Sequence, residues 1–171
     1  MAFRLLRLIT GGRGDSERWQ GTSSSWRDAA LAFSAEVPDE TAYLCSGDFG
    51  LEIVGESNYQ DALRRAQKIG RDWGNGVVAP VLIAREPDNP YDSNAVVVRL
   101  PDGSTVGYLS RERAPTYQSA LQQVEEKGQL AVCWAKLIGG DSVRPSIGAW
   151  LSLLWPERIT RSLKEPPQGR Q

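Results

Sequence analysis

The stretch 94–109, NAVVVRLPDGSTVGYL, constrains the fold more than any other part of the chain. Two runs rich in β-branched and aromatic residues flank Pro101-Asp102-Gly103-Ser104. Such side chains favour a pleated backbone. Proline presets the φ angle a turn needs, and glycine takes a positive φ at no steric cost. The stretch predicts a β-hairpin, and with it an antiparallel sheet.

The flanking segments extend that reading. Residues 51–55 alternate as a strand. Residues 77–83, VVAPVLI, read as another, with Pro80 requiring an edge or a bulge because it cannot donate to a ladder. In 58–69, Tyr59, Ala62, Leu63, Ala66 and Ile69 share one helical face, with Asn58 as N-cap and Gly70 as the stop. A second helix opens at Ser110 and ends before Gly128. Residues 130–138 and 146–153 are strands around a turn at 141–144. The order β-α-β-β-β-α-β-β predicts an α+β, mainly β domain: a small, partly open barrel of about six strands with two helices. That domain spans 51–155.

Residues 1–50 read as an N-terminal extension. Leu5, Leu6, Leu8 and Ile9 form an apolar strand or short helix, 10–25 is a Gly/Ser-rich loop, 26–36 a short helix capped by Ser24 or Ser25, and 41–46 a strand. The polar segment 156–171 reads as a flexible tail. Nothing resembles a signal peptide, and no apolar run approaches the ~20 residues needed to span a bilayer, so a cytoplasmic setting is expected.

Charge and composition narrow the chemistry. Twenty Lys and Arg against 21 Asp and Glu give a net charge of −1. Proteins that coat many phosphates are usually strongly basic, so a nucleic-acid role here must rest on a local pocket. Histidine is absent. That removes the commonest general base and metal ligand and excludes a His-dependent nucleophile within the chain. No metal site, cofactor or enzyme activity is expected. Asp48, Glu56, Asp61, Glu86, Asp88 and Asp92 are the carboxylates a Mg²⁺-dependent nuclease would draw on, but no spacing singles out a pair. Cys45 and Cys133 read as two buried thiols or as one disulfide.

The run Glu86-Pro87-Asp88-Asn89-Pro90-Tyr91-Asp92-Ser93-Asn94-Ala95-Val96 resembles the signature of the HIRAN domain family, as does Val106-Gly107-Tyr108-Leu109-Ser110-Arg111 after the hairpin. The segment Val54-Gly55-Glu56-Ser57-Asn58-Tyr59 is similar to the form seen in free-standing bacterial members. The resemblance implies a small OB-like or SH3-like barrel. In eukaryotic relatives this is the front module of SWI/SNF-type DNA remodelling enzymes, where it captures the 3′-hydroxyl end of single-stranded DNA. By the same resemblance, Tyr91 packs on a terminal base, Asp92 accepts a hydrogen bond from the 3′-hydroxyl, Tyr108 stands beside the nucleotide, and Arg111 lies near a backbone phosphate. Arg85 and Asn94 complete the DNA-binding set.

Each of these residues also has an ordinary structural reading. Asp92 and Asn94 suit a turn that bonds its own backbone, Tyr91 a core or rim aromatic, Tyr108 a strand aromatic, and Arg111 a solvated helix charge. The sequence also departs from the eukaryotic pattern. The strand before Gly55 lacks the aromatic and basic residues found there and carries Glu52 instead. The 171 residues contain no phosphate-binding Gly-Lys-Ser/Thr loop and no cysteine-histidine cluster. The expected partners are a single-stranded DNA 3′ end and a helicase, nuclease or other protein. The alternative is a protein-interaction module on the same barrel, with some of the six tryptophans as interface anchors.

Overall fold

The computed structural model describes residues 18–165, and the expectations for 1–17 and 166–171 fall outside them. Eight strands form one sheet: β1 (Thr41–Tyr43), β2 (Leu51–Val54), β3 (Arg71–Trp73), β4 (Gly76–Arg85), β5 (Val96–Arg99), β6 (Thr105–Leu109), β7 (Leu130–Ile138) and β8 (Gly148–Leu151). Their order is β1-β7-β8-β2-β6-β5-β4-β3, with β4 also paired to β7. That last pairing closes β7-β8-β2-β6-β5-β4 into a six-stranded antiparallel barrel. β1 joins β7 in parallel, and β3 forms a hairpin with β4. The mainly β barrel is as expected, but it is closed rather than partly open.

Closure depends on a β4–β7 ladder running from Val77↔Leu137 to Ile83↔Ala131. Side chains alternate across a strand, and here both faces are covered. Ala79, Val81 and Ile83 of β4 face the inner core with Ala131, Cys133, Ala135 and Leu137 of β7. Val78, Leu82, Val132 and Trp134 face outward into a second apolar cluster with Trp19, Trp26 and Ala30. Two buried faces explain why β7 reads as an almost unbroken apolar run. Pro80 pairs with Trp134 on β7 and has no partner on its other side, because pairing with β3 stops at Val78 and pairing with β5 starts at Leu82. The edge that proline demands therefore exists locally, inside a ten-residue strand.

Four helices surround the barrel, one more than the three expected from sequence. α1 (Ser23–Leu31) starts earlier than expected, because Thr22 is its N-cap and exchanges hydrogen bonds with Ser25. A 3₁₀ turn at Glu56–Asn58 precedes α2 (Gln60–Ile69), whose N-cap is Tyr59 rather than Asn58. Gly70 ends α2 in an extended rather than left-handed conformation. α3 (Ala114–Glu126) begins a turn later than Ser110, which instead accepts the Arg113 amide. The fourth helix, α4 (Pro156–Lys164), occupies the segment expected to be a flexible tail. It packs on α3 and buries Ile159 completely in the inner core, with Leu163 partly buried beside it. The polar look of that segment reflects a helix with only one covered face.

Residues 18–50 are likewise no appendage. Trp26 is fully buried, and its indole Nε1 donates to the Cys133 carbonyl over 2.8 Å. Tyr43 Oη donates to the Gly21 carbonyl and accepts from Trp134 Nε1. Cys45 and Cys133 are free thiols, and burial pushes the Cys133 thiol well above its ordinary value. No helix among the described residues is long and apolar enough to cross a membrane.

Ile159→Ala tests whether α4 belongs to the body. Truncating a fully buried isoleucine costs about 2–5 kcal/mol. The expected result is a lower urea midpoint with an unchanged slope, and an unchanged midpoint would show that α4 contributes nothing.

Candidate functional site

A pocket of about 380 Å³ opens where the end of β2, the start of β6's exit loop and the loop 86–95 meet. Val54, Gly55 and Tyr59 line one side. Asn89, Pro90, Tyr91 and Asp92 line the other, and Tyr108, Leu109 and Arg111 complete it. Four of the six residues singled out by sequence are therefore brought together: Tyr91, Asp92, Tyr108 and Arg111.

The loop is fixed by one asparagine. Asn89 Oδ1 accepts the amides of Tyr91 (2.9 Å) and Asp92 (3.1 Å), while its Nδ2 donates to Glu86 Oε2 (2.9 Å). Glu86 also receives Arg99 from β5 at 2.8 Å. Asp92 Oδ1 accepts the Asn94 amide, and the Asp92 carbonyl accepts the Ala95 amide. This is a turn built from short polar side chains, and it leads directly into β5. Tyr91 is left 86% exposed on top of it.

The strand side depends on two glycines. Gly55 takes φ +81°, a left-handed conformation that favours glycine, and so turns the chain from β2 into the 3₁₀ turn. At Gly107, a Cβ would come within 2.7 Å of Ile53 Cδ1 and 2.8 Å of the Val54 carbonyl. The glycine in Val-Gly-Tyr thus lets β6 lie close against β2 and aligns Tyr108 with Val54 across the ladder. Tyr59 stands 6.5 Å from Tyr108 between ring centroids, inclined at 45°. The next residue, Gln60, exchanges hydrogen bonds with the Ile147 backbone in both directions and so anchors the start of α2. Burial, with Glu86 and Tyr59 nearby, pushes the Tyr108 phenol up to about 12. Tyr108 therefore stays a neutral hydrogen-bonding group throughout the physiological range.

Two of the six residues lie apart from the pocket. Arg85 forks onto Glu125 of α3, with Nη2 2.6 Å from Oε2, and the carboxylate raises its already high pKa. The Asn94 backbone amide donates to Asp92 Oδ1 and its carbonyl accepts from Gln118 Nε2, which is its turn-making reading. Arg111 is exposed and makes no ion pair among the described residues. Sequence reasoning missed Tyr59, which it placed only on a helix face, and Asn89. The signal for Asn89 was present, since an asparagine two residues before an exposed position is a common turn anchor. Among the described residues, no three His, Cys, Asp or Glu side chains converge as a metal site.

Asn89→Ala should loosen the loop without unfolding the barrel. Each lost hydrogen bond is worth about 1 kcal/mol, so the Tyr91 and Asp92 amides should exchange hydrogen roughly fivefold faster. Unaltered exchange at both amides would show that the asparagine does not hold the loop.

Residues 46–129 match the HIRAN domain family. The helicase-like transcription factor of Mus musculus is 43% identical over 68 residues, which cover 36% of this chain and 7% of the relative. That of Oryctolagus cuniculus is 43% identical over 53 residues, covering 29% and 5%. The chain thus spans less than a tenth of the length of these relatives. Among solved structures, the crystal structure of the HIRAN domain of human HLTF is 22% identical with a TM-score of 0.31, covering 67% of this chain and 84% of that one. A protein from Lactobacillus plantarum is 24% identical with a TM-score of 0.37, covering 59% and 86%. The matched stretch, just under half of the chain, holds the 86–95 loop, β6 and every pocket residue described above, and residues 46–129 are a HIRAN domain.

Proposed function

We propose that the chain binds single-stranded DNA at its free 3′-hydroxyl end, and that it acts in DNA repair, replication or defence beside a partner enzyme such as a helicase or nuclease. The observation that carries this reading is Tyr91, a large aromatic 86% exposed on a loop pinned by Asn89 at the rim of the pocket. A rigid, exposed ring is a stacking surface for any base, worth on the order of 1–3 kcal/mol. Tyr59 and Tyr108 add two further rings inside.

Asp92 supplies the preference for an end. Its Oδ1 holds the Asn94 amide, and its other oxygen makes no hydrogen bond among the described residues. A carboxylate accepts a hydrogen bond from a hydroxyl but repels a phosphate, so it favours a free 3′ terminus over a continuing or 3′-phosphorylated strand. Arg111 is placed for the neighbouring phosphate. One arginine and one end need little overall positive charge, in keeping with the net −1. The pocket offers tyrosines, one carboxylate and one guanidinium, a set suited to binding rather than turnover.

Fluorescence anisotropy at low salt, with strands ending in a 3′-hydroxyl, a 3′-phosphate or a closed hairpin, tests this reading. The 3′-hydroxyl strand should bind best. Tyr91→Ala should weaken it by about tenfold or more. Asp92→Asn keeps an oxygen for the Asn94 amide but replaces the acceptor with a donor, so discrimination against the 3′-phosphate should shrink. Equal binding of all three strands, unmoved by either substitution, would overturn the reading in favour of a protein partner.

A further inference from the structure

We propose that a strand held by its end in the pocket continues across the outer face of the barrel to a second contact, the cleft between Trp73 and Trp150 over Lys136. The starting point rests on the end-capture reading, whereas the cleft is a separate set of residues.

Register defines the route. β2 buries Leu51 and Ile53 and exposes Glu52 and Val54 on one face. Val54 pairs with Tyr108 and lines the pocket. Two residues back, Glu52 pairs with Trp150 on β8, and Trp150 pairs with Lys136 on β7. Paired residues share a face. A rise of ~3.4 Å per residue and a strand spacing of ~4.8 Å put Lys136 roughly 12 Å from Val54. That is about three steps of a stacked strand at ~3.4 Å each, and fewer if the strand is extended.

The cleft, of about 420 Å³, is a built one. Trp73 is braced edge-on by Trp19 at 5.7 Å and by a tilted Phe49 at 5.4 Å between centroids. Trp150 rests on its own strand, where a Cβ on Gly148 would come 2.9 Å from the indole Cη2. Lys136 Nζ lies 4.8 Å from the Trp73 ring centroid and makes no ion pair among the described residues. Partial burial pushes its ammonium below the ordinary value. The cleft's carboxylate, Asp48, is 3.6 Å from Arg18. Two indole walls and a part-desolvated cation without a carboxylate match the two halves of a nucleotide, its π-face and its phosphate. Continuity with the pocket on the same face favours the same ligand. Glu52, exposed midway, repels phosphate, which makes the route readable.

The test compares a dinucleotide with an octanucleotide, both 5′-labelled with a free 3′-hydroxyl, by anisotropy on the full chain. The octanucleotide should bind about tenfold tighter or more. Trp150→Ala and Lys136→Met should bring it down to the level of the dinucleotide, whose own binding should not change and so reports an intact fold. Glu52→Lys should tighten the octanucleotide alone and steepen its salt dependence by about one phosphate contact. If the octanucleotide binds no better than the dinucleotide, or ignores all three substitutions, the route is wrong and the pocket is untouched. If a 3′-phosphorylated octanucleotide binds equally well and Tyr91→Ala is harmless, end capture is wrong, and sensitivity to Trp150→Ala then belongs to the cleft alone.

Discussion

The pairing of β4 with β7 holds the molecule together. Without it the strands form an open sheet with two long bare edges, which is a template for association with other chains. With it, β4 serves three partners along its length: β3 first, β7 through the middle and β5 last. β7 in turn carries β1 and β8 on its other side. The inner core and the tryptophan cluster lie on opposite faces of this one ladder. A change that separates the two strands therefore removes both cores at once.

Much of the barrel was legible because its strands obey local rules. The hairpin at 101–104 forms as its proline and glycine require, with Gly103 at φ +87°. β7 matches its expected span, 130–138. The helix count was not legible, for a physical reason. α4 has one face covered by α3 and the core through Ile159 and Leu163, so six of its nine residues are charged or hydroxylic. The three-residue β3 was missed because strand propensity says little over such a length. The role of the tryptophans also depended on tertiary structure: Trp19, Trp26 and Trp134 are core residues, and only Trp155 remains largely exposed.

The site shows the same division. The 86–96 motif marked Tyr91 and Asp92, and local turn chemistry places them. Arg85 stands immediately before this motif but points its charge at Glu125, a residue 40 positions away that no local pattern could reveal. Tyr59 reaches the pocket only because Gly55 reverses the chain and Gln60 anchors α2 to Ile147. Backbone geometry thus assembles three tyrosines from three separate segments around one small volume.

The long reach of Trp26 has a consequence for the growing chain. Its indole bonds to Cys133, 107 residues later. At a synthesis rate of about 5–20 residues per second, that partner emerges some 5–20 s after the tryptophan. Throughout that interval the N-terminal segment has no barrel wall to cover, and Trp19 and Trp26 face water or whatever else is near the ribosome. An element made late in synthesis is the one that allows the first to fold, so a nascent chain stalled before β7 would present its most apolar surface to holding chaperones.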